Sequence, residues 1–353
     1  MKIGYITSPL TTGHAGRGVG FYTKNLLDHL DSAAKQNGHE IVRITDVSDS
    51  SGVDLLHYPF FDLFFHTLPI QSTVPTVVTV HDAIPLEFPD RYPAGLRGGL
   101  NLALQKLALS RSRLVITDSY ASVKAVRKYL RVPHEKIKLI YLAPAPYYKQ
   151  VSDAKSLQAT SKKYHLPKTF VLYVGDVNWN KNLYGLLAAA KNLQVPLVLV
   201  GKQSALIEQA DFDHPELAHL RPAMDLINRP NSQVYRLGFV PDDDLVNIYN
   251  LATVYCQPSF AEGFGLPVLE AMACGTPVSC SNTHSLPEIA GQAASYFDPK
   301  NMDSIAWSLR SLINSKTESG KLVKLGLMQV KKYSWDYTAR STVRVYEEAL
   351  ASK

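Results

Sequence analysis

The chain has 353 residues, of which 46% are hydrophobic and 19% are charged, and its net charge is +6. This composition is that of an ordinary globular protein and excludes a disordered or fibrous chain. Because a single hydrophobic core stops growing at roughly 250–300 residues, the length predicts two domains.

The cysteines and the apolar runs indicate the cellular compartment. The three cysteines, Cys256, Cys274 and Cys280, are odd in number and lack the spacing of metal ligands, which argues against a disulfide framework and a zinc site. The first residues read as a strand rather than a signal peptide, and no apolar run approaches the roughly 20 residues that span a bilayer. We therefore expect a cytoplasmic protein.

Basic residues are concentrated in one segment of the first half. Residues 91–138 contain 11 Lys and Arg residues and only two acidic ones, Asp118 and Glu135. Such a local excess predicts a face that meets an anionic partner or a well-solvated surface.

Two interpretations of this basic segment stay open. Basic side chains flank an apolar helical stretch, which favours peripheral contact with an anionic membrane. In the alternative, Leu100, Leu104 and Leu107 belong to the core and the charges are solvated. Nucleic acid is not expected as a partner, because no aromatic residue interleaves the charges between Tyr92 and Tyr120.

Strand and helix signals alternate along the first half. Short β-branched runs predict strands and longer amphipathic stretches predict helices. The predicted strands are 3–6, 40–44, 54–58, 76–80, 114–117 and 137–142. The predicted helices are 19–35, 95–110 and one that Asp118 and Ser119 cap and that runs through Leu130.

The second half repeats this alternation, which predicts an α/β fold with parallel, doubly wound sheets. The predicted strands are 170–174, 197–200, 234–237, 254–257, 278–281 and 294–297, and the predicted helices are 182–192, 242–252, 267–274, 301–314 and 319–332. The expected domains are 1–150, a linker rich in Pro, Lys and Ser at 151–167, a second domain at 168–332 and a last helix within 333–353. Ligands of such sheets bind beyond the carboxyl ends of the strands, so we expect the site in a cleft between the two domains.

The most informative segment runs from Ser259 to Val278 and reads SFAEGFGLPVLEAMACGTPV. Gly263 and Gly265 allow backbone amides to approach a ligand closely, and Pro267 suits the first position of a helix. A helix that begins in such a loop is an anion site, for which a nucleotide diphosphate is the obvious occupant. Glu270, expected in the first turn, suits a ribose diol, although Glu262 and Glu270 could instead only complement the helix dipole.

This segment resembles the Glu-x7-Glu signature of retaining glycosyltransferases of the GT-B fold, specifically glycosyltransferase family 4. Further stretches resemble the family in the same order along the chain: 237–241, 286–291, 296–299 and 334–335, with looser matches at 16–20 and 81–82. The resemblance implies two Rossmann-like domains that face each other across a cleft, and a C-terminal helix that packs back toward the N-terminal domain.

The resemblance also implies roles for individual residues. Glu270 would hold the ribose hydroxyls, Glu262 would contact the donor sugar and stabilise charge near the anomeric carbon, and His81 would lie near that sugar. Asp82 would accept from the acceptor hydroxyl or fix the ring of His81. The donor-binding residues would be Gly16, Arg17, Gly18, Gly175, Lys181, Phe239, Val240, Glu262, Gly263, Phe264, Gly265, Leu266 and Glu270.

The phosphate loop departs from the family pattern. Lys181, expected to open a helix, is the cation for the leaving diphosphate, but Asp176 and Asn180 occupy the places where many members carry an Arg. Arg17 and Lys202 are candidates for a second cation. A dinucleotide fingerprint at 16–20 is rejected, because its glycine spacing is wrong and its loop is too long.

The resemblance implies a retaining hexosyltransferase, and we expect it to use a GDP- or UDP-sugar and to require no cofactor and no metal. Asp242, Asp243 and Asp244 precede a helical run and therefore read as a helix N-terminal cap rather than as metal ligands. The expected partners are the donor and a sugar or lipid-linked acceptor. The alternatives are a nucleotide-sugar 2-epimerase and a nucleotide-sugar-binding protein without turnover.

Overall fold

The computed structural model describes residues 1–13, 18–46 and 51–351. The chain divides into two compact units, one formed by Met1–Ala143 with Tyr333–Lys353 and the other by Pro144–Lys332. Gly16 and Arg17, two of the predicted donor-binding residues, lie outside the described residues.

The first unit is built on a parallel six-stranded sheet of order β2-β1-β3-β4-β5-β6. Its strands are β1 (Lys2–Ile6), β2 (Glu40–Ile44), β3 (Leu55–Tyr58), β4 (Thr76–Thr79), β5 (Leu114–Thr117) and β6 (Ile137–Leu139). The central strands carry continuous apolar runs because helices cover both faces of a parallel sheet. One face packs into a core that includes Leu56, Val78 and Val115.

The second unit also contains a parallel six-stranded sheet, of order β12-β11-β10-β7-β8-β9. Its strands are β7 (Val171–Val174), β8 (Leu197–Val200), β9 (Val234–Gly238), β10 (Val254–Gln257), β11 (Val278–Ser281) and β12 (Ala294–Phe297). The two sheets confirm the predicted α/β, doubly wound class. The sixth strand ends earlier than predicted, at Leu139 rather than Leu142.

The helices alternate with these strands. The first unit contains α1 (Gly18–Gln36), α2 (Ile84–Glu87), α3 (Gly95–Ser110) and α4 (Tyr120–Ala125), the last continued by a π-helical turn at Val126–Leu130. The second contains α5 (Ala154–Lys163), α6 (Leu183–Leu193), α7 (Leu220–Ile227), α8 (Asp242–Leu251), α9 (Leu266–Ala273), α10 (Leu286–Ala290), α11 (Met302–Asn314) and α12 (Lys316–Val330). The last helix, α13 (Trp335–Ala351), belongs to the first unit. No helix within the described ranges is both long and apolar enough to cross a membrane.

The segment interpreted as a linker, 151–167, contains helix α5. Asp153 caps this helix by accepting a hydrogen bond from the amide of Lys155 at 2.9 Å. The helix lies against α8, where the Asn247 amide donates to the Ser156 and Thr160 hydroxyls at 2.9 Å each. The polar composition of this segment therefore reflects a surface helix of the second unit.

A buried polar chain attaches α13 to the first sheet. His57 in β3 bonds through Nδ1 to the Tyr346 hydroxyl at 2.6 Å and through Nε2 to the Thr79 hydroxyl at 2.9 Å. Thr79 in turn bonds to the Tyr22 hydroxyl at 3.0 Å. Burial, together with the charge of His81, lowers the pKa of His57 to about 3, so its ring is neutral and one nitrogen accepts while the other donates.

Replacement of Tyr346 by Phe should destabilise the first unit, because it leaves one nitrogen of the buried His57 ring without a partner. An unsatisfied buried polar group costs about 1–3 kcal/mol, which lowers the melting temperature by about 2–4 °C per kcal/mol in a unit of this size. The matched control is Tyr337→Phe, at an exposed position on the same helix, for which we expect no measurable change. Equal melting temperatures for the two variants, measured by calorimetry, would contradict the role of the His57 contact.

Candidate functional site

The order of the second sheet defines where its site lies. The connections run from β7 outward through β8 to β9, and then cross back so that β10 pairs with the other side of β7. Ligands of such sheets bind at this switch point, outside the carboxyl ends of the two strands. The loop after β7 leads to Lys181 and the loop after β10 leads to Glu262.

These two loops meet in an ion pair. The Lys181 ammonium lies 2.9 Å from Oε1 and 2.8 Å from Oε2 of Glu262. Oε1 also accepts hydrogen bonds from the Gln257 amide at 2.8 Å and the Ser259 hydroxyl at 2.7 Å. The Glu262 carboxylate is buried, and these four contacts compensate its charge and fix its orientation.

Two asparagines hold the loops at this distance. The Asn180 side chain donates to the backbone carbonyl of Ala261 at 2.9 Å. The backbone carbonyl of Asn180 accepts from the backbone amide of Phe260 at 2.7 Å. The Asn182 side chain donates to the carbonyl of Pro258 at 3.0 Å. Asn180, which replaces the Arg of many family members, therefore binds the neighbouring loop. The expectation that Lys181 opens a helix is wrong, because Lys181 ends a short 3-10 helix and Asn182 caps α6.

The glycine-rich loop is bent sharply where α9 begins. Gly265 precedes the helix with a φ of 108°, and no side chain caps the helix by a hydrogen bond. A Cβ at this position would also lie 2.9 Å from the Leu286 side chain, so only glycine fits the turn. The Ser285 hydroxyl reaches the carbonyls of Glu262 at 2.9 Å and Phe264 at 2.8 Å and fixes the loop. The helix N-terminus therefore remains an anion-attracting feature next to Glu262.

Glu270 is buried in α9 and accepts a hydrogen bond from the Tyr249 hydroxyl at 2.8 Å. It is the fifth residue of the helix, so its expected place in the first turn is wrong. Burial raises the pKa of Glu270 to about 7, against the opposing effect of the Tyr249 hydrogen bond, and the charge of Asp242 adds to the rise. This carboxyl group is therefore poised to change its charge near neutral pH.

Glycines end three neighbouring strands of the second sheet. A Cβ at Gly201 would lie 2.2 Å from the carbonyl oxygen of Gly175, and the amide of Gly201 donates to the carbonyl of Gly238 at 2.9 Å. The residues that follow Gly238 differ in environment, since Val240 is buried whereas Phe239 is 74% exposed. Lys202, the candidate second cation, is exposed at the start of the segment after β8.

His81 follows β4 at the carboxyl edge of the first sheet. Its Nδ1 lies 2.5 Å from Oδ2 of Asp118, and its Nε2 lies 3.2 Å from the carbonyl of Pro59. Burial acts to lower the pKa of His81, but the charge of Asp118 and the hydrogen bond to it outweigh burial and raise this pKa above its ordinary value. Both ring nitrogens therefore face acceptors, as suits a protonated imidazole.

Asp118 has a role that differs from the one expected, and Asp82 makes a backbone contact that the sequence did not indicate. Asp118, interpreted as part of a helix cap, instead fixes the His81 ring, and Ser119 alone caps α4. One oxygen of Asp82 accepts from the amide of Ile84 at 3.0 Å and shapes the turn into α2. Of the other donor-binding candidates in this unit, Gly18 lies at the start of α1.

The acidic triplet lies in the first turn of α8, and its cap is Pro241. Asp242 accepts from the Tyr147 hydroxyl at 3.0 Å, and Asp244 pairs with the Lys163 ammonium at 2.6 Å. The triplet therefore forms the first helical turn rather than the cap itself. Across the described part of the chain, no group of three or more His, Cys, Asp or Glu side chains is arranged to hold a metal ion.

The basic segment 91–138 exposes apolar side chains as well as charges. On α3, Leu96 is 98%, Leu100 64% and Leu107 44% exposed. The alternative that places Leu100 and Leu107 in the core is therefore wrong, because α3 packs through its opposite face, which includes Ala108 and Leu109. The exposed leucines recur at intervals of four and seven residues and lie on one face of the helix.

Several of these contact residues were missed by the sequence analysis: Asp118, Asn180, Asn182, Tyr249, Gln257 and Ser259. A usable signal existed for two of them, since Asp118 and Gln257 are polar residues at the carboxyl end of an otherwise apolar strand. Such positions in α/β proteins face the binding site. Nothing in the local pattern around Tyr249 distinguishes it from an ordinary core aromatic.

Comparison with known proteins gives matches to family models in both units. A model of "Glycosyl transferases group 1" matches residues 154–326. A model of "Glycosyltransferase Family 4" matches residues 33–143. The O-antigen chain mannosyltransferase B of Escherichia coli is 30% identical over 279 residues, which cover 77% of this chain and 70% of that protein.

A second relative and two solved structures extend the likeness over nearly the whole chain. The serotype-specific mannosyltransferase WbdA of Escherichia coli is 30% identical over 93% of this chain, although the match spans only 40% of that longer protein. The sucrose-phosphate synthase of Thermosynechococcus elongatus is 19% identical with a TM-score of 0.75 over 100% of both chains. Anabaena HepE, solved in complex with UDP-glucose, is 17% identical with a TM-score of 0.73 over 99% of each chain. The chain belongs to glycosyltransferase family 4, the group 1 glycosyltransferases of the GT-B fold.

Proposed function

We propose that this glycosyltransferase moves a hexose from a GDP- or UDP-sugar to an acceptor hydroxyl with retention of anomeric configuration, in the synthesis of a glycan or glycolipid. The observation that carries the proposal is the Lys181–Glu262 ion pair at the switch point of the second sheet. It lies beside the start of α9, which no side chain caps. The mannosyltransferase relatives and the UDP-glucose complex of HepE support the donor class.

The charges of the ion pair match those that sugar transfer requires. As the bond from the anomeric carbon to the diphosphate oxygen breaks, negative charge grows on the leaving group and positive charge grows on the sugar ring. Lys181 supplies a cation for the first and Glu262 a carboxylate for the second. Because four contacts hold Glu262 in place, little reorganisation is needed when these charges develop.

The remaining donor contacts follow the same edge of the second sheet. The backbone of Gly175 and of residues 263–266 would face the diphosphate and sugar, with Lys202 as an additional cation. Phe239, whose ring is exposed, and Val240 would frame the base. Glu270 would accept the two ribose hydroxyls, since a carboxylate has two acceptor oxygens.

In the first unit, His81 would contribute positive charge near the sugar rather than act as a base, because both of its ring N–H groups already face acceptors, Asp118 and the Pro59 carbonyl. Its raised pKa and its two acceptor partners support this role. Asp82 would contribute negative charge and the shape of the turn, while Asp118 holds the ring. Transfer would need no cofactor and no metal, with Lys181 and the start of α9 compensating the charge of the leaving diphosphate.

Turnover assays test the proposal directly. With a GDP- or UDP-sugar and a glycan acceptor, the protein should release nucleoside diphosphate, and EDTA should leave the rate unchanged. Glu262→Gln should lower turnover about 10²–10³-fold while donor affinity changes little, because its contact strengthens in the transition state. The matched control is Glu318→Gln, in the first turn of α12, where the Glu318 side chain is 46% exposed.

The outcomes of this assay separate the alternatives. A 2-epimerase would convert the donor sugar without an acceptor, and a binding protein would be stabilised by donor without releasing product. Loss of activity in EDTA with recovery in Mg²⁺ would overturn the metal-independent mechanism. Turnover of Glu262→Gln within a few-fold of the control would overturn the role of Glu262.

Nucleotide binding should depend on the charge of Glu270. The pKa of its carboxyl group is raised to about 7, and hydroxyl donors favour the ionised form, so affinity should rise about tenfold from pH 6 to pH 8 and then level off. Glu270→Gln should weaken binding about tenfold or more at pH 8. The nucleotide itself titrates in this range, so the difference between wild type and variant in calorimetric titrations is decisive. Parallel pH profiles would refute the ribose assignment.

We also propose that the first unit contacts an anionic membrane through residues 91–138, where a lipid-linked acceptor would be available. The exposed leucines of α3 supply an apolar face, and Arg97, Lys106, Arg111 and Arg113 supply positive charge along the same segment. Each Lys or Arg near an anionic leaflet contributes about 1 kcal/mol, so four to six suffice for reversible attachment.

Vesicle sedimentation tests this contact. The protein should pellet with phosphatidylserine-containing vesicles at low salt, remain in the supernatant with phosphatidylcholine vesicles, and be released by about 0.5 M NaCl, where screening is short-ranged. The double variant Leu96→Ser and Leu100→Ser should lose binding. The matched control, Met302→Ser and Trp307→Ser, replaces exposed apolar residues of the second unit and should bind normally. Equal recovery with both vesicle types would end the proposal.

A further inference from the structure

A cavity of about 320 Å³ lies in the first unit at the amino ends of β4 and β5. Tyr58, Thr76 and Arg113 are among its lining residues, and residues 68–75 and the end of α3 complete its wall. His81 and Asp118 follow the carboxyl ends of the same two strands. A four-residue strand rises about 13 Å, so Thr76 and Arg113 lie at the opposite edge of the sheet from His81 and Asp118, while Tyr58 lines the cavity from the last position of β3.

The floor of the cavity contains a polar group that lacks a partner. The Tyr58 side chain is 3% exposed, and its hydroxyl makes no hydrogen bond within the described part of the chain. An unsatisfied buried hydroxyl costs about 1–3 kcal/mol and is uncommon in native proteins. One water needs only about 10–15 Å³, so the cavity has room for a larger polar ligand.

Two guanidinium groups line the cavity. Arg111 donates through Nη1 to the carbonyl of Ile70 at 2.9 Å, which fixes its plane against the wall segment. The Arg113 side chain is exposed and forms no ion pair with any described residue. Two positive charges beside a buried hydroxyl form a site for an anion that also carries hydrogen-bonding groups.

A shallower depression of about 690 Å³ continues outward and shares both arginines. It adds the Lys136 ammonium, which donates to the carbonyls of Ser110 at 3.0 Å and Ser112 at 3.1 Å. The carboxylates at its rim are Glu135 and Glu348, and Glu348 pairs with Lys138 at 2.5 Å. Positive charge therefore predominates where the cavity opens.

We propose that this cavity binds a small phosphate ester, with the phosphate on Arg111 and Arg113 and a hydroxyl of the ester on Tyr58. Guanidinium groups match phosphate oxygens with paired N–H donors. A phosphate monoester carries about −1.5 to −2 charges at neutral pH, which balances two arginines, whereas a carboxylate would leave one uncompensated. The ester is either a free metabolite or the headgroup of a lipid.

Binding of soluble esters to the full chain tests the proposal. Titration with glycerol 3-phosphate should show one site that Arg113→Gln weakens at least tenfold. Tyr58→Phe should weaken glycerol 3-phosphate severalfold but leave inorganic phosphate unchanged, because only the ester offers a hydroxyl. The matched control is Arg97→Gln, at an exposed arginine of α3 that does not line the cavity.

Two further experiments distinguish binding in this cavity from binding in the donor site, and a soluble ester from a lipid headgroup. The Lys181→Gln variant should bind glycerol 3-phosphate with the affinity of the wild type. If Lys181→Gln instead loses binding and Arg113→Gln binds normally, the phosphate lies in the donor site and the proposal is overturned. Vesicles containing phosphatidylinositol 4-phosphate, whose headgroup carries a phosphate monoester and free hydroxyls, identify a lipid source if Arg113→Gln and Tyr58→Phe reduce retention and soluble esters do not bind. Absence of binding in both arms, or equal binding by wild type and Arg113→Gln, would also overturn it.

Discussion

The bonding of the Glu262 carboxylate is the constraint on which the second unit's site depends. A buried carboxylate that loses its partner is destabilising by about 3–5 kcal/mol, so the loops after β7 and β10 must keep Lys181 and Glu262 together. Asn180 and Asn182 make this approach possible through backbone contacts that span the switch point. The charges of the ion pair and the stability of the loops therefore depend on the same set of contacts, to which the Asn180 side chain contributes a donor.

Close packing between backbones constrains the carboxyl ends of β7, β8 and β9. Gly175, Gly201 and Gly238 end β7, β8 and β9, and a side chain at Gly201 would collide with the carbonyl of Gly175. Without side chains, the edge of the sheet presents backbone groups to a ligand. Phe239 follows this edge, and its side chain is 74% exposed. The close packing of the backbones therefore requires these glycines, and the same glycines leave backbone groups accessible to a ligand.

Much of the fold could be predicted because buried parallel strands are short apolar runs that are separated by clear loop and helix segments in the sequence. Leu197–Val200 and Val278–Ser281 were predicted with the bounds that the structure has. Helices α5 and α7 were missed, since their polar or proline-containing sequences resemble loops and only tertiary contacts reveal their role. The charged residues Lys181, Glu262 and Glu270 were found through their motifs, whereas the contact of Tyr249 joins residues distant in sequence, which no local pattern records.

The two carboxyl groups of the motif show how environment separates their roles. Glu262 and Glu270 lie eight residues apart, and both are buried. Glu262 accepts hydrogen bonds from an ammonium group, an amide and a hydroxyl, so the protein's own donors compensate this carboxylate. Glu270 has a single hydroxyl donor and a pKa raised by burial, so its charge is stabilised only when further donors arrive. A ribose diol supplies two such donors, and binding would then complete a hydrogen-bond set that the protein leaves unfinished. Glu262 is thus compensated in advance by its neighbours, whereas under the proposed function Glu270 would be compensated by its ligand.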